Sequence, residues 1–231
     1  MVGCLIIAER KPLAEIRRLL EPYRRVMVLG CRGCVTVCMA GGAKETAVLS
    51  TWLRLDSIGA GKERQVLEDT VERQCEYELL RPIAVRLNEG SSVEAILSLG
   101  CGIGVQALAD CFPDLPVLPG LNTSFLGMPE RTGTWVERCH ACGQCLLDQT
   151  GGICPIARCA KNLLNGPCGG SQAGFCEIGN GTACAWSQIH ARLARLKQLD
   201  KLTDLALPKN WSLDRDGGPR RLTREDWEEE T

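Results

Sequence analysis

The chain has 231 residues, enough for one large or two small domains, and its 27 Lys and Arg against 28 Asp and Glu leave a net charge of −1. Without a basic patch interleaved with aromatics, nucleic-acid binding has no support. No apolar run approaches the roughly 20 residues of a membrane span.

The opening apolar run, Cys4 to Ala8, reads as a short buried strand. It is too short for a signal peptide and no basic stretch precedes it, so a cytoplasmic location is expected. Thiols stay reduced there, and 15 cysteines then favour metal or redox cofactors over disulfides. Leu13, Ile16, Leu19 and Leu20 recur at helical spacing within Pro12 to Leu20. Val26 to Gly30 is a second apolar strand, and a helix follows from about Ala43 to Leu55. A weaker strand covers Gln65–Glu72, a helix about Tyr77 to Leu87, and a clear strand Ala95 to Gly100. Val105–Cys111 reads as helix and Leu115–Leu118 as a last short strand. This alternation predicts an α/β fold, a Rossmann-like domain with a parallel sheet over residues 1–128. An irregular cysteine-rich domain is expected at 129–188, then a helix and docking tail at 189–231.

In that layout Cys31 and Cys101 stand at the carboxyl ends of parallel strands, where open α/β sheets bind ligands. Cys34 and Cys38 lie just beyond Cys31, and Cys75 ends the weaker strand. Cys31, Cys34, Cys38, Cys75 and Cys101 therefore form a candidate metal or cluster site. The competing readings are buried cysteines acting as small hydrophobes, or a redox dithiol at Cys31 and Cys34. The spacing does not match the radical-SAM order. Cys4 and Cys111 sit on apolar segments and are expected in the core. Gly100, Gly102 and Gly104 only superficially suggest a dinucleotide loop, and Gly59 to Lys62 lacks the length of a P-loop.

The strongest signal is the run Cys139, Cys142, Cys145, Cys154, Cys159, Cys168, Cys176 and Cys184. Two-residue gaps let successive thiolates face one small inorganic body, and Cys154-Pro155 resembles the closing arm of ferredoxin-type runs. Two four-cysteine iron–sulfur sites are expected. Structural zinc is the alternative, since it also takes four thiolates. The order of the cysteines does not divide them into quartets. This glycine-rich segment builds little core, so metal ligation is expected to supply part of its folding energy and its metal-free form to be disordered. His140, inside the run, is a candidate for ligating or tuning a cluster, whereas His190 reads as a surface residue. No Ser–His–Asp arrangement or carboxylate pair marks a site of substrate chemistry. Trp211, in the polar stretch Leu207 to Arg221, suggests either an arm that docks on another surface or a tail folded onto its own domain.

Gly30-Cys31-Arg32-Gly33-Cys34-Val35-Thr36-Val37-Cys38, Glu72-Arg73-Gln74-Cys75 and Cys101-Gly102-Ile103-Gly104 are joined by Cys142-Gly143-Gln144-Cys145, Thr150-Gly151-Gly152-Ile153-Cys154-Pro155, Asn165-Gly166-Pro167-Cys168-Gly169-Gly170 and Cys184-Ala185-Trp186. Together they resemble the small cysteine-rich subunit of acetogen-type methylenetetrahydrofolate reductase, the methylenetetrahydrofolate reductase C-terminal domain family. The resemblance implies a non-catalytic subunit carrying [4Fe-4S] clusters, two or more, with zinc as the other metal. Its partner would be the flavin-containing catalytic subunit, a TIM-type barrel. A heterodisulfide-reductase-like or ferredoxin-type protein would be its electron donor, in the methyl branch of reductive acetyl-CoA synthesis. Alternatives from other classes are a zinc-stabilised assembly subunit without redox role, and a thiol-based carrier using Cys31 or Cys34.

Overall fold

A computed structural model describes residues 6–62, 64–88, 93–179 and 181–219. It divides into two compact units, Met1–Val136 and Glu137–Thr231. Cys4, expected in the core, lies outside the described residues. Among the described residues, no helix is long and apolar enough to cross a membrane.

The first unit starts with β1 (Ile6–Arg10), α1 (Leu13–Leu19), β2 (Arg25–Cys31), the single turn α2 (Cys34–Val37) and α3 (Ala43–Gly59). It continues with β3 (Gln65–Val71), α4 (Tyr77–Asn88), β4 (Ala95–Leu99), α5 (Gly102–Cys111), β5 (Val117–Pro119), β6 (Leu121–Arg131) and β7 (Thr134–Cys139). Four strands form a parallel sheet in the order β3-β2-β4-β5, with Val26 opposite both Val66 and Ala95. Counting only these strands, the order is 2-1-3-4, as in doubly wound sheets, and the direction of winding switches between β2 and β4.

Side chains alternate across this sheet with the period of two that a strand imposes. Val26 and Val28 of β2, with Leu97 and Leu99 of β4, enter one core with Ile16, Leu20, Leu49 and Leu53. Met27, Leu29 and Ile96 enter the other, with Leu80, Ile83 and Leu108. Helices α1 and α3 thus cover one face, and α4 and α5 the other. Cys111 is half-buried at the edge of the second core.

The first strand departs from expectation. Instead of joining the parallel sheet, β1 pairs antiparallel with β6, Ile6 opposite Leu126 and Arg10 opposite Leu121, in a separate sheet of order β1-β6-β7. The hairpin of β6 and β7 is absent from the sequence reading because most of β6 is exposed and polar, giving no apolar alternation to detect. Its turn is closed by Gly133 at φ +79. This hairpin carries the first unit past residue 128, to Val136.

Helix α3 inverts the usual pattern. Thr46, Ser50 and Ser57 are buried, whereas Val48, Leu55 and Ile58 are exposed. Thr46 and Ser57 satisfy their hydroxyls by donating to the carbonyls of Gly42 and Arg54. A small Thr46 also lets the helix approach Gly30, where an added Cβ would lie 2.2 Å from Thr46 Oγ1.

Gln74, on the loop after β3, is fully buried. Its amide donates to the Leu29 carbonyl at 2.8 Å and its oxygen accepts from Ser98 Oγ at 2.6 Å. Replacing it by leucine, Gln74→Leu, strands both partners, a loss of about 2 kcal/mol. A lowered Tm of the first unit in calorimetry is the expected result.

Candidate metal centres

In the second unit the chain turns repeatedly instead of forming long elements. Among the described residues its regular elements after β7 are α6 (Pro155–Arg158), the two-residue strands β8 (Ser171–Gln172) and β9 (Phe175–Cys176), and α7 (Ala185–Leu196), beside three 3-10 turns at 199–202, 211–213 and 215–217. Its one apolar cluster centres on Trp186, Ile189 and Leu193 of α7, a helical stripe.

These turns sort the eight cysteines into two groups of four. Cys139, Cys142, Cys145 and Cys154 line a cavity of about 220 Å³ whose wall includes Leu146, Leu147 and Ile156. Cys159, Cys168, Cys176 and Cys184 line a second, much tighter space of about 10 Å³, beside Pro167 and Trp186. The chain order, four then four, is thus also the spatial division. No disulfide forms among the described cysteines.

Local backbone explains how the first group converges. Ala141 and Gly143 adopt left-handed φ values of 54 and 71, which reverse the chain between successive cysteines. Ala141 N–H points at Cys139 Sγ, 3.4 Å away. Cys154 sits at the start of α6, where its Sγ accepts from Ala157 N–H at 3.5 Å, and Pro155 fits the first helical position. The tail closes over this loop. Lys209 is buried and donates to the Gln144 carbonyl, while Leu213 lies against Gly143. The stretch through Gly217 is therefore folded onto its own unit, and Trp211 is half exposed under the Lys209 ammonium, 6.0 Å from its ring centre.

In the second group Cys184 precedes α7. Burial works against its thiolate, but hydrogen bonds from the hydroxyl and N–H of Ser187, the hydroxyl of Ser171 and the N–H of Trp186 outweigh it, and its pKa falls below the ordinary thiol value. Trp186 donates to the Leu163 carbonyl at 3.1 Å. Its indole lies so close to Gly166 that a Cβ there would come within 2.4 Å of the ring. Lys161 places its ammonium 3.8 Å from Cys168 Sγ and pairs with Glu177.

In the first unit, Cys31 ends β2, Cys75 follows β3 and Cys101 follows β4, so three adjacent parallel strands deliver thiols to one edge. Cys31 and Cys101 flank the switch in winding, the position where such sheets bind ligands. Burial pushes the Cys31 thiol up; N–H groups of Gln74 and Gly33 oppose this, and Cys101 and Cys34 add to it. Burial likewise raises Cys75, aided by Cys101 and Cys31. Cys31, Cys34, Cys75 and Cys101 thus lie within electrostatic reach of one another. Cys38 is buried in the same core cluster as Cys31 and Cys101, with Cys34 packed against it, and its thiol donates to the carbonyls of Ile6 and Cys34, both at 3.3 Å.

Comparison with known proteins identifies the segment that holds both quartets. Residues 118–212 match the family described as methylene-tetrahydrofolate reductase C terminal. No curated protein and no solved structure matches the chain. The family segment contains all eight cysteines of the second unit, together with the chain that leads into it from β5.

The sequence reading passed over several residues that shape these sites. Gln74 carried no motif, yet it explains the glycines around Cys101. A Cβ on Gly100 would lie 2.2 Å from Gln74 Oε1, and one on Gly104 2.8 Å from Gln74 Cβ. Those glycines make room for a glutamine and not for a phosphate. Lys161, Ser171 and Ser187 likewise had no signal beyond their place between cysteines.

The two kinds of glycine in the first quartet separate by mutation. Gly152, at φ +85 with open space around its Cβ position, should lose about 1–2 kcal/mol as Gly152→Ala. Gly143, at φ +71 and placed so that an added Cβ would lie 2.6 Å from the Leu213 carbonyl oxygen, should lose about 3 kcal/mol or more as Gly143→Ala. Thermal unfolding of the two variants side by side measures the difference.

Proposed function

We propose that this protein is an iron–sulfur electron-transfer subunit that passes electrons to the flavin-containing catalytic subunit of a methylenetetrahydrofolate reductase. The observation that carries the reading is the sorting of eight cysteines into two enclosures of four thiols, within a segment that matches the methylene-tetrahydrofolate reductase C-terminal family.

The donor set fits [4Fe-4S] ligation, and such clusters, when bound, carry one electron at a time. Thiol spacing favours a body larger than one ion. A tetrahedral zinc site with Zn–S near 2.3 Å holds its sulfurs about 3.8 Å apart. Among the described residues no three cysteine sulfurs lie within 4.8 Å of one another. The first cavity has room for a cluster, and Leu146, Leu147 and Ile156 give part of its wall an apolar character.

The residues around the thiols have assignable roles in this reading. N–H groups of Ala141 and Ala157 donate to the sulfurs of Cys139 and Cys154 and stabilise negative charge there. Lys161 supplies a positive charge beside Cys168, which favours the reduced state of that site. In this reading the protein is a non-catalytic subunit in the methyl branch of reductive acetyl-CoA synthesis. The electron donor would be a ferredoxin-type or heterodisulfide-reductase-like protein of the cytoplasm. Cys31, Cys34, Cys75 and Cys101 would hold a further metal at the sheet edge, without Cys38.

One observation favours a second reading for one site. The second quartet encloses little space, about 10 Å³, so a single zinc with a structural role belongs there if anywhere in the second unit.

Iron, sulfide and zinc are to be counted on anaerobically purified protein, with EPR after dithionite. About eight irons with equal sulfide from the second unit, and a reduced-cluster signal, support the relay. About four irons with one zinc assign zinc to the tight quartet. Zinc without sulfide makes the protein an assembly subunit and sinks the relay. In the same assay Cys38→Ser should keep full metal content, and Cys101→Ser should lose the metal of the first unit alone.

A further inference from the structure

The second unit also brings together donors other than thiols, beside the first cavity, whose lining includes His140. His140, Asp214 and Asp216 each offer one ligand atom, and the three atoms lie within 4.8 Å of one another. His140 follows Cys139 on the loop after β7. The two aspartates flank Arg215 at the 3-10 turns of the tail.

Asp214 is the informative member, being 4% exposed. Its Oδ1 accepts from Asp216 N–H at 3.1 Å and so caps the last turn. Its Oδ2 faces His140 Nε2 at 3.7 Å, beyond hydrogen-bond length. That oxygen is buried and has no hydrogen-bond partner. A buried carboxylate oxygen left so is costly, and a cation beside it removes the cost.

The geometry suits a metal better than an ion pair between His140 and Asp214. Imidazole nitrogen and carboxylate oxygen bind first-row metals at about 2.0–2.2 Å, which sets neighbouring ligands about 3–3.5 Å apart. The 3.7 Å separation therefore needs only slight contraction around an ion. A simple pair would leave Asp216 without a role. Its carboxylate is 78% exposed and meets only the neighbouring Arg215 at 3.6 Å, a surface contact of little strength. It closes the third side of the site, and water would complete the shell.

We propose that His140, Asp214 and Asp216 bind one divalent first-row cation, beside the first thiol quartet, that ties the tail to the loop carrying Cys139. One imidazole and two carboxylates form a hard-to-borderline set that takes Mn2+, Fe2+ or Zn2+, whereas thiolates select softer ions. The proposal does not depend on which metal the cysteines hold.

The test uses the full chain with its thiol-bound metals in place, titrated anaerobically with Mn2+. Mn2+ is chosen because the thiol sites bind it poorly. Loss of the free-ion EPR signal should report about one saturable ion per chain, with a nitrogen coupling from His140 in the spin-echo spectrum. Asp216→Asn, at an exposed position, should weaken binding roughly tenfold or more, and His140→Gln should abolish the nitrogen coupling. Iron and sulfide content should be unchanged in Asp216→Asn, which separates loss of this site from misfolding and from failure of the relay reading. Absence of saturable uptake, or uptake that both variants leave unaltered, overturns the proposal and leaves His140 and Asp214 as a plain ion pair.

Discussion

The amide of Gln74 fixes the edge on which the first unit's chemistry depends. Strands β2 and β4 run side by side, but the chain winds away from them in opposite directions, which opens a crevice at their carboxyl ends. Gln74 closes the floor of that crevice by bridging the Leu29 carbonyl of β2 and the Ser98 hydroxyl of β4. Its own N–H supports Cys31, and the next residue is Cys75. One buried side chain therefore joins two strands just before Cys31 and Cys101. The cost is local: Gly100 and Gly104 must remain glycines to accommodate it.

The second unit rests on a different constraint. Its apolar cluster is small and is built almost wholly on α7. Left-handed residues at 141, 143, 151, 152, 162, 169, 173, 174, 179 and 181 bend the chain where helices or strands would otherwise run. Each such residue other than glycine costs free energy, and the burial available does not obviously offset it. What these turns achieve is convergence of thiols. In the proposed reading, a metal held by these thiols would act as a core and supply part of the order.

Legibility in the sequence followed the strength of each physical signal. The strands Val26 to Gly30 and Ala95 to Gly100 were plain because both faces of a parallel strand are buried and read as continuous apolar runs. Position followed from topology, which is why Cys31 and Cys101 could be placed at the sheet edge before any coordinates. The hairpin of β6 and β7 was invisible because most of β6 is exposed and shows no apolar alternation, although Phe125, Leu126 and Trp135 pack against the core, and with it went the true pairing of β1. Helix α3 was found as a helix, but its buried Thr46, Ser50 and Ser57 could not be told from its exposed Val48, Leu55 and Ile58. Leu49 and Leu53 bury that face in the core, and close approach to Gly30 calls for the small Thr46 beside them. The division of the cysteines into quartets depends on turns whose geometry no periodicity records.

The tail shows how these two modes of stability meet. In sequence it offers only a lone Trp211 among polar and turn-forming residues, which suits an arm reaching outward as well as a strap folded inward. The deciding residues are Lys209, Leu213 and Asp214, which are not aromatic and form no pattern. They pack against Gly143, Gln144 and His140, the short link between the first three cysteines of the first quartet. A loop with left-handed residues and almost no core of its own is thereby pinned from outside by residues about 65 positions away, Lys209 on Gln144 being separated by 65. Thiol geometry in the first quartet is thus set jointly by its own turns and by the tail. A partner that gripped Trp211, about half exposed at 48%, would pull on the same strap and so act on the loop that holds Cys139, Cys142 and Cys145.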